Sequence, residues 1–202
     1  MSRSKGILRG VGMNDADYHV HGGASRMNGC PYYARWKGII QRCYGGKERD
    51  RSRYGDCTVD DRWHSFMVFR SWMVQQPWQG NQLDKDILCP ERKIYAPETA
   101  VFIPGWLNVL MVRQETRSGL LLPGVHLDPR PKAKQFQARI HDGSGQRKCI
   151  GSFKTELEAH QAWSHAKADV IAKAVERYQL TDRPDDRVSS ALMQRVKELQ
   201  AA

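Results

Sequence analysis

The chain has 202 residues, 40% of them hydrophobic, enough for one ordinary domain or two small ones with real but modest cores. No apolar run approaches the roughly 20 residues that cross a bilayer, and no apolar stretch follows the basic start Met1-Ser2-Arg3-Ser4-Lys5, so neither a membrane span nor a secretory signal is expected. The net charge is +10 and uneven: residues 1–120 hold 18 basic and 12 acidic side chains, residues 121–154 seven and two, and residues 155–202 seven and eight. A basic excess packed into so short a segment points to a polyanionic partner.

Residues 1–30, rich in Gly, Asn, Asp and His and without periodicity, read as an extended amino-terminal arm. Residues 32–44 place Tyr33, Trp36, Ile40 and Cys43 at helical spacing, and the polar stretch Gly45 to Arg53 ends that helix. Residues 61–74 carry a second apolar stripe of Trp63, Phe66, Val68, Phe69, Trp72 and Met73, with Asp60 or Asp61 as the expected cap. These aromatics are at core spacing, which explains them better than base stacking. A short strand is expected at Gln82–Leu88, another after Tyr95–Val101, and a short helix at Gly105–Val112 closing this half, with Arg113 to Leu122 as connector.

Beyond it the pattern changes. Gly124–Asp128 reads as a strand; in Gln135–Asp142, Phe136, Ala138 and Ile140 alternate with Gln137, Arg139 and His141; Asp142-Gly143-Ser144-Gly145 is a turn, and Arg147–Phe153 a third strand. Thr155 with Glu158 three positions on forms a capping box for a helix to about Tyr178, whose expected buried face is Leu157, Ala162, Trp163, Ala166 and Val170. Arg183-Pro184 halts it, and Val188–Leu199 reads as a last amphipathic helix. If Phe136, Ala138 and Ile140 pack on the long helix, then Gln137, Arg139 and His141 share the solvent side. Arg147 and Cys149 join them from the third strand, and His126, Asp128 and Arg130 from the first. Arg suits guanine and Gln suits adenine in a major groove, while Lys132, Lys134, Lys148 and Lys154 suit phosphates.

Three strands and a helix with these turns resemble the APETALA/ethylene-response-factor type of DNA-binding domain. The likeness is carried by Gly124-Val125, Gln135 to Ile140, Ile150-Gly151-Ser152-Phe153-Lys154-Thr155, Glu158-Ala159, Ala162-Trp163 and Lys167. It implies a sheet that lies in the major groove of duplex DNA with the helix behind it. Cys149 stands where the family has Trp, and Arg139 where it has Glu.

The amino-terminal half is similar to bacteriophage-encoded proteins that join an HNH-like segment to such a domain, many of them read as homing endonucleases. The shared residues include Gly10 to Asp15, Cys30-Pro31-Tyr32, Trp36 and Gln41-Arg42-Cys43-Tyr44. They continue with Tyr54 to Val59, Trp63, Phe66, Leu83-Asp84-Lys85-Asp86-Ile87-Leu88, Tyr95 to Thr99 and Asn108. An HNH site places a His at the end of its first strand to activate water beside one divalent metal, yet residues 65–125 contain no His. Two readings stay open. In one, Asp84 and Asp86, two apart on a strand, hold Mg²⁺, Lys85 supports the phosphate and Asn108 orients the site. In the other, the scaffold binds DNA without cleaving it.

Cys30, Cys43, Cys57, Cys89 and Cys149 show neither disulfide-framework nor Cys-x-x-Cys spacing, so reduced thiols are expected and zinc is not. The expected fold is α+β: an arm (1–30), a helix-rich HNH-like domain (31–115), a three-stranded antiparallel sheet packed on a long helix (121–180) and a carboxy-terminal helix (181–202). The expected partner is double-stranded DNA in a bacterial host's cytoplasm, in preference to RNA and with no membrane contact.

Overall fold

The computed structural model describes residues 6–20, 29–45, 55–111, 121–130, 133–141 and 146–202. The expected Asp142–Gly145 turn, most of the Arg113–Leu122 connector, and Lys132 fall outside these residues. The chain mixes helices with small sheets in two compact units, Met1–Ile103 and Pro104–Ala202. Among the described residues, no helix is long and apolar enough to cross a membrane.

In the first unit, β1 (Ile7–Leu8) and β2 (Gly12–Met13) form a tight antiparallel hairpin whose turn sets Arg9 and Gly10 at φ 55° and 76°. Helix α1 (Pro31–Tyr44) opens on a proline, whose missing N–H costs nothing there, and buries Tyr33, Trp36, Ile39 and Ile40. After β3 (Thr58–Val59) comes a single 3₁₀ turn, Asp61–His64, and then α2 (Phe66–Val74). The expected aspartate cap serves the turn: Asp60 accepts from the Arg62 N–H at 3.0 Å, while Ser65 caps α2 through Val68. Strand β4 (Asn81–Asp84) pairs with β6 (Val101–Pro104), and β5 (Ile94–Tyr95) pairs in parallel with β3.

Trp36, Trp63, Phe66, Phe69 and Phe102 form the core, all essentially without solvent contact. Trp63 meets Phe69 edge-on at 5.0 Å, and the Trp36 indole N–H donates to the Trp63 carbonyl at 2.7 Å. Residues 6–20 differ from the expected arm. Val20 is buried in this core, Leu8 and Tyr18 pack on it, and Asp15 accepts from the Ser65 hydroxyl at 2.6 Å and the Met67 N–H at 2.9 Å. A carboxylate at orphan donors of a helix's first turn is worth a cap, and it ties the segment down.

In the second unit, α3 (Gly105–Met111) keeps company with the long helix α4 (Glu156–Gln179): Lys167 donates to the Leu110 carbonyl at 2.8 Å, and the Arg177 guanidinium lies 4.0 Å from the Trp106 ring centre. The expectation attached α3 to the amino-terminal half. Strands β7 (Val125–Leu127), β8 (Phe136–His141) and β9 (Arg147–Phe153) make an antiparallel sheet in that order. Val125, Ala138 and Ile140 are buried on one side, as are Ala159 and Trp163 of α4. Thr155 and Glu158 form the capping box. The buried stripe of α4 runs Ala159, Trp163, Ala168, Ile171, Val175, Tyr178, leaving Leu157 55% exposed against expectation. That stripe is longer than a sheet needs because its second half is covered by α5 (Asp186–Gln200), which buries Val188, Leu192, Val196 and Leu199.

Gly124 enters β7 at φ 80°, and a Cβ there would stand 2.0 Å from the Trp163 ring. Gly124→Ala therefore combines backbone strain with a collision against the central aromatic, and it should destabilise the second unit by at least ~3 kcal/mol in denaturant unfolding. Thr155→Ala, which removes only the cap, should cost about 1 kcal/mol by the same measurement.

Candidate nucleic-acid interface

The side of the sheet away from α4 is decided by strand register. His126 lies opposite Gln137, and Gln137 opposite Ser152; then Arg139 faces Cys149 and His141 faces Arg147. The partner numbers slip by one between Ala138 and Arg139, so β9 has one more residue than β8 can pair, and Ile150 is the extra one. Without this bulge, Ile150 and Lys148 would stand beside Arg139 and His141. With it, Cys149 and Arg147 take those places, as the sequence pattern led one to expect.

The outward side chains are bonded into position. Arg139 donates through Nε and Nη2 to the Gln137 amide oxygen at 3.2 and 2.7 Å, and Gln137 Nε2 donates to Asp128 at 3.2 Å. Asp128 also receives Arg130 through Nε at 3.0 Å and Nη2 at 2.9 Å. Arg147 Nε donates to His141 Nε2 at 2.7 Å. Asp128 departs from its expected place on the open face: it is 5% exposed, just past β7, and serves as the buried latch of the row. Its Asp-x-Arg spacing, with the Arg130 N–H donating to its own Oδ1 at 3.1 Å, is the sequence signal for such a turn. A guanidinium held along one edge keeps its remaining donors in a fixed direction, which suits a planar acceptor pair. Lys134 and Lys154 are exposed at the sheet's margins, and Lys148, opposite Ile140, is exposed as well.

Electrostatically the face is one of cations. Burial, followed by the charges of Arg139 and Arg147, holds the His126 imidazole below its ordinary range, and pairing with Asp128 holds Arg130 above its own.

Family models, curated proteins and solved structures alike give no match to this chain.

The other expected site takes a different shape. Strand β4 ends at Asp84, so Asp86 is not its strand neighbour and the alternation that put both carboxylates on one face does not reach it. Asp84 Oδ1 instead accepts the N–H groups of Asp86 and Ile87 at 2.9 and 2.8 Å, closing the turn, and burial raises this carboxyl above its usual range. Lys85, expected to support the phosphate, is 5% exposed and pairs with Asp86 at 2.5 Å. Asn108 lies on α3, in the second unit, whereas Asp84 to Asp86 lie in the first. His64 is bonded at Nε2 to the Val59 carbonyl at 3.1 Å. Among the described residues, no three of His, Cys, Asp and Glu gather as a metal-holding group.

The cations around His126 make a direct prediction. In an imidazole chemical-shift titration of the folded protein, His126 should titrate below about 6.5. Arg139→Ala should move it up, because one of the charges opposing its protonation is gone.

Proposed function

We propose that the chain binds double-stranded DNA through the outward face of β7, β8 and β9, with His126, Gln137, Arg139, His141 and Arg147 toward the bases and Arg130 and Lys134 toward the phosphates. The observation that carries this reading is the row of bonded cations that the Ile150 bulge keeps on one face, in the segment that holds +5 of the net charge. A three-stranded sheet is narrow enough for the major groove, and Arg and Gln are the side chains that read base edges there. The order β7, β8, β9 with α4 behind is what the resemblance to the APETALA/ethylene-response-factor type implies, and it supports the proposal. In the same reading the first unit is related to HNH endonucleases as a scaffold, and it supplies no phosphodiester chemistry. The engagement of Asp84 in a turn and of Asp86 with Lys85 favours that version over Mg²⁺-dependent cleavage.

The test is a mobility-shift titration with duplex DNA. Arg139→Ala combined with Arg147→Ala should weaken binding by about 1–3 kcal/mol for each base-reading arginine removed. Lys134→Ala should weaken all sequences alike and flatten the salt dependence by about one phosphate's worth. Unchanged affinity in the double arginine variant would overturn the assignment of the face. A companion gel with supercoiled plasmid in Mg²⁺, Mn²⁺ or EDTA should show a shift without nicking. Metal-dependent nicking that disappears in Asp84→Ala would reinstate the nuclease reading.

A further inference from the structure

Not all aromatics of the first unit lie in its core. Tyr18, Tyr32 and Trp78 are half-buried at its rim, where Tyr32 meets Trp78 edge to face at 5.1 Å. The Arg70 guanidinium of α2 lies over both tyrosines, its carbon 5.4 Å from the Tyr32 ring centre and 5.6 Å from that of Tyr18. Among the described residues it forms no ion pair and no hydrogen bond: its Nε–H is buried without a partner, while its two Nη groups reach solvent. Asp17, exposed and next to Tyr18 in the chain, does not pair with it. A guanidinium half withdrawn from water is ordinarily matched by an anion. Ring faces attract it without neutralising it, so its charge and a two-pronged edge remain for a ligand.

A second cation shares the place. Arg35 follows Tyr32 by three residues, hence on the same face of α1, and it is exposed and donates to the Asn81 carbonyl at 3.4 Å. The Asn81 N–H donates in turn to the Trp78 carbonyl at 3.2 Å, so Arg35 and Trp78 are held to one turn. Two arginines, neither paired with a carboxylate, suit a string of phosphates better than a lone carboxylate. We infer that Arg70, steadied by Tyr18 and Tyr32 and accompanied by Arg35, is a phosphate-binding site that takes a backbone phosphodiester of bound DNA. The inference rests on DNA being the partner, and it adds to the sheet face a contact made by the other unit. The Nη groups of Arg70 donate to two oxygens of one phosphate, and the tyrosine rings keep water from the faces of the guanidinium.

The experiment follows the Arg70 Nε–H and the Tyr18 and Tyr32 ring resonances of the full chain by NMR, as a duplex oligonucleotide or inorganic phosphate is added. DNA should move these resonances, and inorganic phosphate at the same total phosphate concentration should leave them in place. Arg70→Gln should weaken duplex binding about fivefold near ~150 mM salt and flatten the salt dependence by about one phosphate's worth. Exposed Arg35→Gln should flatten it likewise, and it serves if Arg70→Gln fails to fold. DNA that shifts β7, β8 and β9 but not Arg70 and its tyrosines would overturn the inference and leave the sheet reading intact. Shifts at Arg70 with none on the sheet would do the reverse. A response to inorganic phosphate without one to DNA would also overturn it, as a site for a free anion only.

Discussion

A sheet that buries one side against a helix leaves only alternate residues to meet a partner, so chain parity governs what the partner finds. In the second unit, Gly124 lets β7 run close under Trp163, and this close approach fixes which side of the sheet is buried. Everything outward of it follows by counting, with one exception. The extra residue Ile150 resets the count in β9, and through it Arg147 and Cys149 come to stand beside Arg139 and His141. One added residue in a strand thereby exchanges an apolar side chain and a lysine for an arginine and a thiol at the centre of the face.

The row of hydrogen bonds from Arg130 through Asp128 and Gln137 to Arg139 adds order to that face. Long cationic side chains lose rotamer entropy when they bind, on the order of 1–2 kcal/mol each. Holding Arg139 along one edge means that part of this ordering is already present in the free protein. Asp128 is buried and satisfied by Arg130 and Gln137, so it organises the row without presenting a bare negative charge to a phosphate backbone.

Strong local signals in the sequence correspond closely to the structure. The period-2 pattern of Phe136 to His141, the Thr155–Glu158 box and the aromatic stripes of α1 and α2 each follow from the nearest few residues. What escaped the sequence depends on distant partners. Asp84-Lys85-Asp86 alternates as a strand would, but Asp84 closes a turn onto the N–H groups of Asp86 and Ile87, and Lys85 is buried near Tyr95. The Gly- and Asp-rich stretch 6–20 has no period of its own, and Asp15 finds its role only at the first turn of α2, 50 residues on. Leu157 reads as core on a helical wheel, yet the stripe of α4 is turned by its need to meet both the sheet and α5. The face of Gln137, Arg139 and His141 was legible; the place of Asp128 was not, because a carboxylate's burial is set by whether an arginine and an amide converge on it.

The most direct measurement of the central claim is amide and side-chain chemical-shift mapping of the full protein as duplex DNA is added at about 150 mM salt, where weak non-specific association is screened. Binding through the sheet predicts perturbations concentrated at His126, Gln137, Arg139, His141, Arg147 and Cys149, with α5 unaffected. Perturbations confined to the first unit, or none on β7, β8 and β9 at saturating DNA, would contradict it.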